Sequence, residues 1–136
     1  ELGHIMWEYV GMGRTEEGLK TALKLLKDIR KEFETNLFIP GSTEGVNIEL
    51  EKALRLNDFI TMGELIAYDA LNRNESCGGH FREEYQTEEG EAKRDDENYF
   101  YVSCWEYQGS DDVAPVLYKE PLVYEAIKVQ TRNYKS

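Results

Sequence analysis

TEEGLKTALKLLKDIRKEFETNLFIP, residues 15–40, decides the fold. Leu19, Ala22, Leu23, Leu26, Ile29, Phe33 and Leu37 recur with helical period, while Lys20, Lys24, Lys27, Arg30 and Lys31 fill the other face. Thr15 supplies a hydroxyl that can accept from a free first-turn amide, and Glu16 and Glu17 put carboxylates in the positive first turn. Pro40-Gly41 ends the pattern, so the spacing predicts an amphipathic helix over about 15–38.

On the C-terminal side, GSTEGVN is a polar turn, and Asn47 is a plausible cap for a further helix over about 48–73. Its apolar positions are Leu50, Ala53, Leu54, Leu56, Phe59, Ile60, Met62, Leu65, Ile66, Ala67, Tyr68, Ala70 and Leu71. They cover more than one face, which marks either a central helix or a face reserved for another domain. Gly63 and Ala67 let a neighbouring helix come close. On the N-terminal side, Leu2, Ile5, Met6 and Tyr9 form a short stripe stopped by Gly11 and Gly13. The short connection predicts an antiparallel pair with the first helix packed across it.

The period then changes. YFYVSCWEY, residues 99–107, is rich in aromatic and β-branched residues. A turn cluster follows at Gln108–Asp112, and Val116–Tyr118 and Leu122–Val129 read as returning strands. Pro115 and Pro121 suit strand starts or edges. The expected fold is mainly α: an antiparallel three-helix bundle, spectrin-repeat-like, then an irregular loop and a small β-hairpin. The 136 residues read as one domain, with the bundle at 1–75, the loop at 76–98 and the β-rich tail at 99–136.

The net charge of −11, from 27 acids against 16 bases, argues against nucleic acid and against docking on an anionic membrane. No stretch approaches the roughly 20 apolar residues of a membrane span, and no signal peptide is visible. The chain begins at Glu1 and reads as a processed chain or a piece of a longer protein. Two cysteines do not make a disulfide framework, so a reducing compartment is expected. Cys77 and His80 make a C-x-x-H fragment with no second half, so no metal site is assigned. A Cys77–Cys104 disulfide and a Cys–His nucleophile are likewise not assigned. His4 is read as exposed. His80 keeps two readings: a contact to a ligand or partner, or an imidazole bonded to a nearby carbonyl. There is no G-x-G-x-x-G and no phosphate loop, so neither catalytic nor cofactor-binding residues are assigned.

The polar connection ESCGGHFREEYQTEEGEAKRDDEN, residues 75–98, resembles the E-S-R-G-x-H-x-R-x-D-x-P-x-R-D-D-E-N signature of the C-terminal domain of succinate dehydrogenase and fumarate reductase flavoprotein subunits. Glu75, Ser76, Gly78, His80, Arg82, Arg94, Asp95 and Asp96 match it residue by residue. The opening IMWEYVGMGRTEEGLKTAL is similar to that family's M-W-x-x-V-G-x-x-R-x-x-x-x-L. The signature Arg is Cys77 here, which removes a bidentate fork. Its Asp is Glu84, its Pro is Gln86, and residues 87–93 look like an insertion.

The resemblance implies a domain of a larger FAD-dependent subunit that interconverts succinate and fumarate. FAD and the dicarboxylate would bind to segments outside this chain, which by itself is expected to be inactive. The matched residues are then interface candidates, with His80 and Arg82 bridging to the flavin-binding body. The implied partners are the FAD-binding and capping domains and the iron-sulfur subunit, with no nucleic acid and no direct membrane insertion. The implied location is cytoplasmic, peripheral at the inner membrane through the parent complex. The alternatives are the same domain of L-aspartate oxidase, or a free-standing acidic helical interaction module.

Overall fold

In the computed structural model, residues 1–110 and 112–131 are described. The elements are α1 (Leu2–Val10), α2 (Glu16–Asn36), α3 (Ile48–Asn72), α4 (Asp96–Tyr99), β1 (Tyr101–Glu106) and β2 (Val116–Pro121). The predicted caps form. Thr15 Oγ1 accepts from the Gly18 amide at 3.0 Å, and Asn47 Oδ1 accepts from the amides of Glu49 and Leu50. α1 turns off at Gly11, where a Cβ would stand 2.6 Å from the Trp7 carbonyl oxygen. No side chain fits that approach.

α2 and α3 are antiparallel. Leu26 meets Gly63, and one turn further along α2 Arg30 reaches Thr61 and Glu64. α1 crosses at the same level: a Cβ at Gly63 would lie 3.1 Å from Met6 Sδ and 3.7 Å from atoms of Leu2 and Leu26. The core gathers there from all three helices, as Ile5 and Val10, then Leu19, Ala22 and Leu26, then Ala67 and Ala70.

α2 stops at Asn36, two residues before the predicted end, because Leu37 is already extended. Residues 37–39 lead out to Pro40, and proline disfavours helix in the residue before it. α3 is less enclosed than a central helix would be. It buries Ile60, Gly63, Ala67 and Ala70 along one line, while Leu54, Phe59 and Met62 stay more than half exposed. Of the two sequence readings of α3, the described residues match an apolar face left open.

β1 and β2 form an antiparallel hairpin with Cys104 opposite Tyr118 and Tyr101 opposite Pro121. Trp105 Nε1 donates to Asp69 Oδ1 at 2.8 Å, and its ring meets Tyr68 edge-on, so the hairpin is fastened to α3. Two expectations are corrected. Tyr99 belongs to α4 and not to a strand. Leu122–Val129 is not a strand: β2 ends at Pro121, which has no amide to donate, and Tyr124 turns back edge-on against Phe100. β propensity alone, without ladder pairing to a neighbouring strand, does not make a strand. Part of the predicted β-rich tail, residues 132–136, lies outside the described residues.

Candidate interdomain surface

An α-helix leaves its last carbonyls without intrahelical donors, and a helix end that is buried must find donors elsewhere. Here they come from the 76–98 segment. Arg82 Nη1 donates to the carbonyl oxygens of Ala70 at 3.0 Å and Leu71 at 3.3 Å, and Nε donates to Glu84 Oε2 at 3.1 Å. Arg82 is 1% exposed, and its guanidinium also stacks near the Tyr85 ring. Glu84 Oε1 in turn accepts from the amide of Glu16, the first residue of α2. One ion pair thus joins the end of α3 to the start of α2. Burial raises the Glu84 pKa, but hydrogen bonds from the Glu16 and Glu84 amides and from Arg82 outweigh it and hold the carboxyl below its usual range.

Ser76, fully buried, locks the loop that delivers Arg82. Its Oγ accepts from the Arg82 amide at 2.9 Å and donates to the Arg82 carbonyl at 3.0 Å. Glu75, 2% exposed, accepts from Arg73 Nη1 and from the Asp95 amide, both at 2.9 Å. Arg73 also donates to the carbonyls of Tyr99 and Tyr101, each at 3.0 Å, which brings β1 to the end of α3. The buried anchors of this segment are the polar residues Glu75, Ser76 and Arg82.

Cys77-Gly78-Gly79-His80 is a tight exposed turn closed by two backbone bonds, with Gly78 at φ +59°. The half-buried His80 receives a hydrogen bond from Arg14 Nη1 at Nδ1 (2.9 Å), and its Nε2 lies 2.9 Å from the Arg73 carbonyl oxygen. The carbonyl-bonded reading of His80 is therefore the one realised within the chain. Burial lowers its pKa most. The Arg73 carbonyl opposes this, and the charges of Arg14, Arg82 and Arg73 reinforce it. At the outer end Arg94 pairs with Asp96, and Asp95 caps α4 by accepting from the Asn98 amide.

The interface candidates therefore separate by place. Glu75, Ser76 and Arg82 turn inward, His80 is intermediate, and Gly78 and Asp96 are exposed, with Arg94 and Asp95 half-buried between. Within this chain the hydrogen bonds of Arg82 run to Glu84, Ala70 and Leu71. Arg14 and Arg73 were not singled out in the sequence. Arg14's signal was its place in the V-G-x-x-R match of the opening helix, and Arg73 left none. Cys77 and Cys104 are free and exposed, His4 is exposed, and no group of three or more His, Cys, Asp and Glu gathers among the described residues.

The described residues form a short helical bundle plugged by polar residues, with one apolar helix face uncovered. The chain belongs to the fumarate reductase flavoprotein C-terminal family, whose family model matches residues 1–134. An uncharacterised FAD-dependent oxidoreductase of Methanocaldococcus jannaschii is 33% identical over 62% of this chain and 15% of its own. A chloroplastic L-aspartate oxidase of Nicotiana tabacum is 37% identical over 62% of this chain and 13% of its own. The fumarate reductase flavoprotein subunit of Proteus vulgaris is 30% identical over 73% of this chain and 16% of its own. The chain thus spans 13–16% of the length of these curated relatives. An E. coli quinol fumarate reductase chain shares the fold with TM-score 0.77 and 23% identity, over 95% of this chain and 21% of that one. The apo Sdh1 complex of Mycobacterium smegmatis matches at TM-score 0.69 and 26% identity, over 87% of this chain and 19% of that one. L-aspartate oxidase enters as a related family. Among the described residues no helix is long and apolar enough to cross a membrane.

Proposed function

We propose that this chain is the C-terminal domain of an FAD-dependent subunit that interconverts succinate and fumarate. It would pack against the FAD-binding and capping domains and support assembly with an iron-sulfur subunit at the cytoplasmic face of the membrane. The observation that carries the reading is the open face of α3. Leu54, Phe59, Met62 and Ile66 stand exposed, and with Phe33 and Phe38 the last three of these line an apolar groove of about 880 Å³. Contiguous apolar surface of this kind marks an interaction site. The short share of the relatives' length that the chain covers supports a body in the same polypeptide as the occupant.

The exposed Gly78 turn, His80, Arg94, Asp95 and Asp96 would form the polar rim of the contact, with Glu75, Ser76 and Arg82 shaping it from below. FAD and substrate would be held outside this chain. The experiment adds the 136-residue chain to the separately produced flavin-binding remainder of the parent and reads association and flavin retention. Phe59→Ser with Met62→Ser should abolish both, and unchanged association would refute the docking face. L-aspartate oxidase is the second reading, favoured by the 37% identity of the Nicotiana relative. Turnover of succinate against L-aspartate by the complete parent separates the two.

A further inference from the structure

We propose that the Arg14–His80 hydrogen bond is an acid-sensitive latch: it holds the corner between α1 and α2 against the 76–98 segment and releases it when the imidazole takes up a proton. Arginine has no acceptor atom, so Nδ1 must present its lone pair to Arg14 Nη1, 2.9 Å away. Nε2, 2.9 Å from the Arg73 carbonyl oxygen, must then carry the hydrogen. Only the neutral Nε2–H imidazole satisfies both contacts. A proton on Nδ1 would set N–H against N–H and a positive ring beside a guanidinium.

The surrounding charges do not rescue that state. Arg73, at the end of α3, and Arg82, on the segment itself, are also close enough to act on the ring. Glu84 is taken by Arg82 and the Glu16 amide, and Glu75 by Arg73 and the Asp95 amide. Asp69, which reaches Arg14 electrostatically from α3, accepts from Trp105. Glu83 borders Gly13 in the corner itself.

Arg14 is the hub of the corner. Its Nε donates to the carbonyls of Val10 and Gly11, which closes the end of α1. Its amide donates to the Phe81 carbonyl at 3.0 Å, and its carbonyl accepts from the Glu83 amide at 2.8 Å. Losing the imidazole acceptor frees the side chain that joins α1 to the segment. Burial and the neighbouring cations place the His80 pKa lower in the closed corner than in the open one. The latch is therefore complete above the ordinary histidine range near 6.5. Its opening grows up to about tenfold per pH unit below that, until the closed form also protonates.

The test is NMR on the 136-residue chain. Above neutral pH, His80 should show the Nε2–H tautomer. Below pH of about 6.5, amide exchange at Arg14 and Glu83, corrected for intrinsic rate, should rise by up to roughly tenfold per unit, with the amides of β1 and β2 unchanged. His80→Gln keeps an acceptor and a donor but cannot take up the proton, and should remove that pH dependence. An Nδ1–H tautomer, titration of His80 at or above about 6.5, or the same dependence in His80→Gln would each overturn the latch. The first two readings need no variant.

Discussion

Arg82 Nη1 donates to the carbonyl oxygen of Ala70 at 3.0 Å, so a buried cation from a loop closes the C-terminal end of α3. The negative end of the helix dipole and two unpaired carbonyls are satisfied together. Arg82→Ala leaves those carbonyls without this donor and Glu84 without its guanidinium partner, and should destabilise the chain by roughly 3 kcal/mol in urea unfolding. Arg82→Lys keeps the charge but not the fork, and should recover only part of the loss. A change within about 0.5 kcal/mol for Arg82→Ala would reduce the plug to a surface contact.

Trp105 fastens the hairpin through one hydrogen bond to Asp69 and one edge-on contact with Tyr68. Trp105→Phe retains most of the ring contact and strands the carboxylate. A loss of about 1–2 kcal/mol follows, read by chemical denaturation and followed through the remaining, largely exposed Trp7. Asp69→Ala in the same background should add little, because the pair is already broken.

The 76–98 segment is irregular yet tied at particular amides. Those of Ser76, Arg82 and Glu83 donate to the Lys93 carbonyl, Ser76 Oγ and the Arg14 carbonyl. In native-state hydrogen exchange they should be protected, while Gly79 and Glu88, at exposed turns, exchange quickly. Uniformly fast exchange across the segment would remove its role as the clamp between α2 and α3.

The purified chain should carry no flavin absorbance and should not turn over succinate or fumarate. Dinucleotide binding needs a glycine-rich turn at a helix N-terminus after a strand, and the sequence contains no G-x-G-x-x-G. Flavin co-purifying at one per chain is the result that would contradict this.

The three long helices were legible from local chemistry, while the single turn of α4 was not. The stripe from Leu19 to Phe33, the Thr15 and Asn47 caps and the Gly11 stop are each decided within a few residues, and the sequence by itself determined them. The aromatic run near β1 was equally legible as a strand, and the 75–98 connection as irregular. Tertiary structure decided everything that depended on a distant partner. Leu122–Val129 has strand composition but pairs with neither outer edge of the two-stranded hairpin among the described residues, so it is not a strand. α3's breadth of apolar residues left two readings, and only the packing of α1 and α2 on one line of it selected the face that stays open. The inward turn of Arg82 and the union of Arg14 with His80 were not legible either, because each joins groups far apart in the chain. Periodicity encodes which way a side chain faces on its own helix. Which buried helix end lacks donors, and which loop reaches it, exists only once the helices have met.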